Sequence, residues 1–323
     1  MSSRLSSRSK TGRGRRFFGI LIVLSGLLLL IDNEVERSKT AHILAAASSW
    51  VEMERPEVLD PSLEGKLIHA TDSVTTPDIL SDTEFALSCN AIILRREVEY
   101  YQLVETSTRY EDGDDYYTEY NYRHQWTDKP VDSEGFHESD YRKKNFTLMT
   151  VDPWKAYASE VRFGAYRLPP ELYTQMEKGS GEQYLTFVPV QSLAPEVLQR
   201  LNDETCRALG VRGEFVCLHE GRIFLGADPL NPQIGDVRIG YEGLLPEVCT
   251  VMAQVRDSTL TVYTPEKGLS FSEFCRGERS AESFIEYRTE DNRALGWGLR
   301  ITALILLLIG VLLYRKGRQM KQK

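Results

Sequence analysis

Polar and apolar positions divide the chain into three parts. Residues 17–31 (FFGILIVLSGLLLLI) and 301–314 (ITALILLLIGVLLY) contain no charged side chain. Between them, apolar positions either alternate with polar ones or recur at helical spacing. A helix that crosses a bilayer needs about 20 apolar residues, with about 17 tolerated. The second run is therefore expected to recruit residues 295–299, which places Arg300 inside the span near one interface and Trp297 at headgroup depth. A basic start followed by a short apolar core also describes a cleaved signal peptide. The first run, however, ends in Asp32-Asn33-Glu34 with no small-x-small site close behind, and the nearest Ala cluster, Ala45 to Ala47, lies far downstream. An uncleaved anchor is the expectation.

Between the two runs the pattern changes twice. Residues 35–53 are Ala-rich with apolar positions close to helical spacing, and read as a stalk helix that Pro56 and Pro61 stop. From Gly65 onward strand signals dominate: residues 66–70, 91–110, 116–126, 184–188, 214–225, 237–241, 249–255 and 259–263 are rich in aromatic and β-branched side chains. Asp112-Gly113 and Glu220-Gly221 mark hairpin turns, because glycine accepts the positive φ such turns require. The first turn closes a long two-stranded arm. Tyr116, Tyr120, Tyr122 and Trp126 share one face of that arm at period two, a face expected to pack against protein. Helical spacing predicts helices near residues 170–178, 194–209 and 271–292. The fold class is thus α+β, two transmembrane helices flanking a β-rich domain with room for two β-rich halves, although no repeat is clean enough to claim duplication.

Charge supplies an orientation. All 47 acidic residues lie between Asp32 and Asp291, while Arg4, Arg8, Lys10, Arg13, Arg15 and Arg16 precede the first apolar run and Arg315, Lys316, Arg318, Lys321 and Lys323 follow the second. Basic residues beside a span stay on the cytosolic side. Both termini are expected there, as tails over residues 1–16 and 315–323. Residues 17–31 and 295–314 then span the membrane, 32–61 form stalk and linker, and 62–292 form an extracytoplasmic domain. An acidic domain excludes nucleic acid as partner. The membrane is the plasma (inner) membrane if the chain is bacterial, and the endoplasmic reticulum and inner nuclear membrane if it is eukaryotic.

Candidate chemistry is sparse. No nucleophile elbow, phosphate-binding loop, dinucleotide fingerprint or zinc-protease motif occurs, so no catalytic residue, cofactor or metal is expected. The five histidines lack i, i+4 pairing, and Cys217 with His219 is two ligands where structural zinc needs four. Glu111, Asp112, Asp114, Asp115 and Glu119 read as a solvated hairpin tip rather than a calcium loop. Of the five cysteines, Cys206 and Cys217 bracket a short turn-rich stretch and are the first candidates for a disulfide, with buried free thiols as the alternative. Asn145-Phe146-Thr147 fits a glycosylation sequon, relevant in a eukaryote. Arg300 is the most unusual residue: it either snorkels to the interface beside Trp297 or binds an anion there.

Several ordered blocks resemble the transmembrane-protein-43 family, also called LUMA: Glu64-Gly65-Lys66-Leu67-Ile68-His69, Tyr101-Gln102-Leu103-Val104-Glu105, Gly235-Asp236-Val237-Arg238-Ile239, Val251-Met252-Ala253-Gln254, Ser280-Ala281-Glu282-Ser283-Phe284 and Trp297-Gly298-Leu299-Arg300. The resemblance implies an endomembrane or nuclear-envelope protein of animals that organises membrane-associated complexes with envelope proteins and lamins. Family members usually continue beyond the Trp-Gly-Leu-Arg helix with further transmembrane helices, so the role of those helices does not carry over. They also tend to have Asn-Pro where this chain has Asn145-Phe146. The function expected is that of a membrane-anchored scaffold, not an enzyme, with the lipid bilayer, other membrane proteins and further copies of itself as partners. The competing class is an enzyme or receptor acting on lipid headgroups at the membrane interface.

Overall fold

The computed structural model describes residues 3–47, 49–112, 115–177, 185–264 and 270–322. In chain order the elements are helix α1 (Ser3–Ala47), strands β1 (Val51–Glu52), β2 (Leu67–Thr75), β3 (Leu80–Asp82), β4 (Leu87–Cys89), β5 (Ile93–Asp112), β6 (Asp115–Thr127), β7 (Trp154–Tyr157), β8 (Arg162–Phe163) and β9 (Tyr166–Arg167). Next come helix α2 (Pro170–Tyr173), strand β10 (Thr186–Val188), helix α3 (Pro195–Leu209), strands β11 (Val216–His219), β12 (Arg222–Leu225), β13 (Val237–Leu244), β14 (Glu247–Arg256), β15 (Thr259–Thr261) and β16 (Glu273–Arg276), and helix α4 (Ala281–Gln322). The class is α+β, with an apolar helix at each end and a β-rich middle. The elements gather into two compact units: residues 1–72, 169–173 and 249–323, and residues 73–168 and 174–248. The second unit is inserted in sequence between segments of the first.

In the first unit β1 pairs with β2 in parallel, β2 pairs with β14, and β14 pairs antiparallel with β15 and β16. Thr250 to Val255 of β14 are buried, as a strand covered on both faces requires. The β14–β15 turn carries Asp257 and Ser258 at φ 49° and 59°, so it is tight without glycine. Two expectations fail here. The stalk helix continues α1 but stops at Ala47, and residues 51–52, expected to be helical, form β1. Residues 273–276, also expected to be helical, form β16: they pair antiparallel with β14 from Cys249↔Arg276 to Met252↔Glu273, and Phe274 and Cys275 are buried there. The last helix starts only at Ala281, after Ser280, whose Oγ accepts from the Ser283 amide.

In the second unit the strands run β11-β12-β13-β5-β6, with β10 also on β13 and β7 also on β5. β13 and β5 pair from Val237↔Tyr100 to Leu244↔Ile93. The Glu220-Gly221 turn has φ 49° and 71°, as its sequence predicts. Helix α3 buries Val197, Leu201 and Thr205 and ends at Gly210 with φ 68°. Its apolar face joins Leu94, Tyr100, Ile223, Leu225, Ile239 and Tyr241 in the core. The β5–β6 arm pairs from Tyr100↔Thr127 to Asp112↔Asp115. The expected turn glycine, Gly113, lies outside the described residues, as do Asp114, Lys178 and Tyr184. Of the aromatic face, Tyr120 stacks on His137 at 3.9 Å, Tyr122 on Tyr141 at 3.9 Å, and Trp126 meets Tyr101 and Phe224. Tyr116 is exposed, with the Arg109 guanidinium 4.4 Å from its ring centroid.

Candidate membrane-interface site

The spans that length and composition allow are Gly14–Val35 of α1 and Leu295–Gln319 of α4, and the second of these includes residues 295–299. The two helices lie side by side and antiparallel. A Cβ on Gly19 would fall 2.7 Å from the Gly310 carbonyl oxygen, one on Gly26 would fall 3.1 Å from the Ala303 carbonyl oxygen, and one on Gly296 would fall 3.6 Å from Asn33 Oδ1. Gly19, Gly26 and Asn33 recur every seven residues on α1, as do Gly296, Ala303 and Gly310 on α4, and all six are buried. Small residues at that spacing form a continuous seam and let two backbones touch. The flanking Leu and Ile side chains point outward: Leu28, Ile31, Leu304 and Leu308 are all exposed.

At one end of the seam sit the residues that the sequence singled out. The Arg300 guanidinium lies 5.2 Å from the Trp297 ring centroid, and its Nε and Nη2 donate to Oε1 of Glu34 on α1 at 2.7 and 2.5 Å. Sequence reasoning placed Arg300 near an interface but missed Glu34, because a partner on another helix is fixed only by the antiparallel register. Arg37 lies over Gly296: the built Cβ would be 3.2 Å from Arg37 Cδ. Beyond this end, His69 ties the segment after α1 to the segment before α4. Its Nδ1 is 2.8 Å from Glu52 Oε2 and its Nε2 is 2.8 Å from the Arg279 carbonyl oxygen, while its ring meets Trp50 and Phe284 edge-on. No histidine signal in the sequence pointed to this role.

The other expected sites belong to the fold. All five cysteines are free thiols, so the bridge between Cys206 and Cys217 is not formed. Cys206 Sγ on α3 instead donates to the Gly213 carbonyl oxygen at 3.3 Å, while Cys217 is exposed on β11 with its thiol pKa raised by partial burial. Asn145 lends its amide to the sheet edge: Nδ2 donates to the Leu103 and Val131 carbonyl oxygens at 2.8 and 3.0 Å, and Oδ1 accepts from the Leu103 amide at 2.9 Å. A glycan on Nδ2 would remove one of the two donors and wedge the loop off the strand. This geometry opposes the modification that the sequon suggested.

Two further features of the second unit combine polar groups. Buried Arg96 donates to Asp82 Oδ2 at 3.0 Å, to Glu84 Oε2 at 2.6 Å and to the Asp152 carbonyl oxygen at 2.8 Å, and Tyr241 donates to Asp82 at 2.8 Å. Burial, reinforced by the Asp82 carboxylate, drives the Tyr241 hydroxyl pKa far upward. An open cleft of about 640 Å³ lies between the arm and residues 231–234, lined among others by Tyr101, His124, Tyr141, Lys144 and Phe146. Buried Asp236, next to that loop, accepts from the Gln233 amide at 2.8 Å, yet desolvation still raises its carboxyl pKa to about 6. Among the described residues no three metal-ligating side chains converge.

Comparison with known proteins gives the chain's relatives. The profile of a family described as "Transmembrane protein 43" matches residues 100–318. The rat protein named Transmembrane protein 43 is 29% identical over 313 residues, covering 92% of this chain and 72% of its own length, and the human protein is 27% identical over the same extent. The Drosophila melanogaster homologue is 25% identical over 320 residues, covering 95% of this chain and 79% of its own. No solved structure matches the chain.

Proposed function

The chain belongs to the transmembrane protein 43 family, and on that premise we propose that it is a membrane-anchored scaffold with both ends in the cytosol and its β-rich units on the other side. The observation that carries this reading is the antiparallel seam of α1 and α4. The seam sets Arg15 and Arg16 at the same end as Arg315, Lys316 and Arg318, and sets Asp32 and Glu34 at the other. A hairpin so charged crosses a bilayer with its basic end toward the cytosol. The membranes in question are endoplasmic reticulum and inner nuclear membrane in a eukaryote, or the inner membrane in a bacterium.

The scaffold holds other membrane proteins and further copies of itself beside the lipid, and its acidic middle keeps nucleic acid away. A binding role is favoured over catalysis for a physical reason. The largest pKa displacements among the described residues, at Tyr241 and Asp236, come from burial, and neither residue lines the described clefts. Arg300 is committed to Glu34, which removes it as the free anion-binding group that a lipid-headgroup enzyme needs.

Protease added outside sealed vesicles whose interior is cytosolic is expected to digest residues 65–290 and spare tags on both termini. Protection of the middle with loss of either tag would overturn the orientation.

A further inference from the structure

On the reading that α1 and α4 span a bilayer, we propose that the Glu34 end of the hairpin binds the headgroup of a zwitterionic phospholipid bearing a primary ammonium. Three groups there lack what such a headgroup supplies. The Arg37 guanidinium is half-buried and has no ion-pair or hydrogen-bond partner among the described residues. Beneath it, Asn33 is only 4% exposed, and its Nδ2 is closed off from solvent with no acceptor among the described residues. Glu34 gives Oε1 to both Arg300 donors, and its Oε2 takes no protein donor among the described residues.

Asn33 and Arg37 are four residues apart and Glu34 is three from Arg37, so the three occupy adjacent positions on the helix surface. Gly296, on the facing helix, has no side chain, so the Arg37 stem packs down on it: a Cβ there would meet Arg37 Cδ at 3.2 Å and Asn33 Oδ1 at 3.6 Å. A phosphate oxygen arriving at the guanidinium accepts from Arg37. Lifting the flexible Arg37 stem by one rotamer also exposes the orphaned Asn33 amide to that oxygen. An ethanolamine ammonium on the same headgroup donates to Glu34 Oε2, and exposed Trp297 beside Arg300 lies at the depth where indoles meet headgroups. Charge decides between lipid classes. Asp32 and Glu34 flank the site, so a headgroup that brings its own cation suits it better than one with net negative charge, and a quaternary ammonium cannot donate to Oε2.

The test uses the full chain in nanodiscs of equal parts phosphatidylethanolamine, phosphatidylcholine and phosphatidylglycerol, with the lipids retained on release counted by native mass spectrometry. Phosphatidylethanolamine is expected to be enriched. Arg37→Gln should reduce that enrichment about fivefold, the effect of one basic side chain near a headgroup surface. Gly296→Ala should act similarly, since the new methyl meets a movable part of Arg37 and not backbone. Carbonate extraction of each variant is read in parallel, and continued resistance separates loss of the lipid from loss of the membrane-spanning reading. Equal retention of the three lipids, a preference for phosphatidylglycerol, or unchanged enrichment in both variants would overturn the proposal.

Discussion

Asn145 shows how a residue can carry one meaning in sequence and another in three dimensions. Its amide copies a neighbouring strand, giving Leu103 both a donor and an acceptor where β5 would otherwise present an open edge. Asn145→Ala should therefore cost about 2 kcal/mol or more in urea unfolding, because buried backbone groups lose their partners. By contrast Thr147→Ala, which destroys the sequon but keeps the amide, should leave electrophoretic mobility unchanged in protein from eukaryotic cells; a faster-running variant would mean a glycan is present. Asp236 titrates in the opposite sense to a paired carboxylate. Its folded pKa, raised to about 6 by burial, lies above the ordinary value of 3.8, so the folded state holds the proton more tightly than the unfolded chain. Stability should then fall as pH rises from about 4 to 6 and level off above. Asp236→Asn should flatten that slope and raise the unfolding midpoint at pH 7; an unchanged slope would assign it to other groups. Neither role is visible in the residue's identity, because both depend on chain brought from far away in sequence.

Among the elements, the helices were the most legible and their partnership the least. Apolar length identifies both spans, and the seven-residue recurrence of Gly19 and Gly26, and of Gly296, Ala303 and Gly310, stands in the sequence. Only the register shows that the two series face each other. Gly310→Ala should separate the helices, since its methyl would fall 2.7 Å from the Gly19 carbonyl oxygen and 2.9 Å from the Val23 amide nitrogen, neither of which can yield without moving backbone. A cost of about 1–3 kcal/mol is expected, read as a lower thermal midpoint in detergent. Gly298→Ala meets nothing within 4 Å and should leave the midpoint in place; equal effects would mean that helix propensity and not the seam is being measured. Strand pairs closed by Glu220-Gly221 were legible because the turn residues announce them. The Asp257-Ser258 turn was not, as neither residue is one that positive φ demands. The misread boundaries at residues 51–52 and 273–276 share one cause: short segments with mixed patterns take the structure of the strand they join.

For the whole molecule, the second unit has its own apolar core, from Leu80 to Tyr241, with the buried Arg96–Asp82–Tyr241 network within it. Residues 73–248 expressed without either helix should accordingly be soluble and unfold cooperatively by circular dichroism and near-ultraviolet signals. A molten or aggregated fragment would show that this core depends on the remainder of the chain. What the sequence by itself determined was whatever local composition controls: two apolar spans, basic flanks, an acidic β-rich middle and its glycine-marked hairpins. Solvent preference and backbone sterics act on each segment without reference to the rest. What only the tertiary structure decided was pairing over long separations: Glu34 with Arg300, Asn145 with Leu103, His69 with Arg279, and the way the first unit draws on segments far apart along the chain. Those contacts depend on which surfaces meet once the apolar faces are buried, and no local pattern encodes that choice.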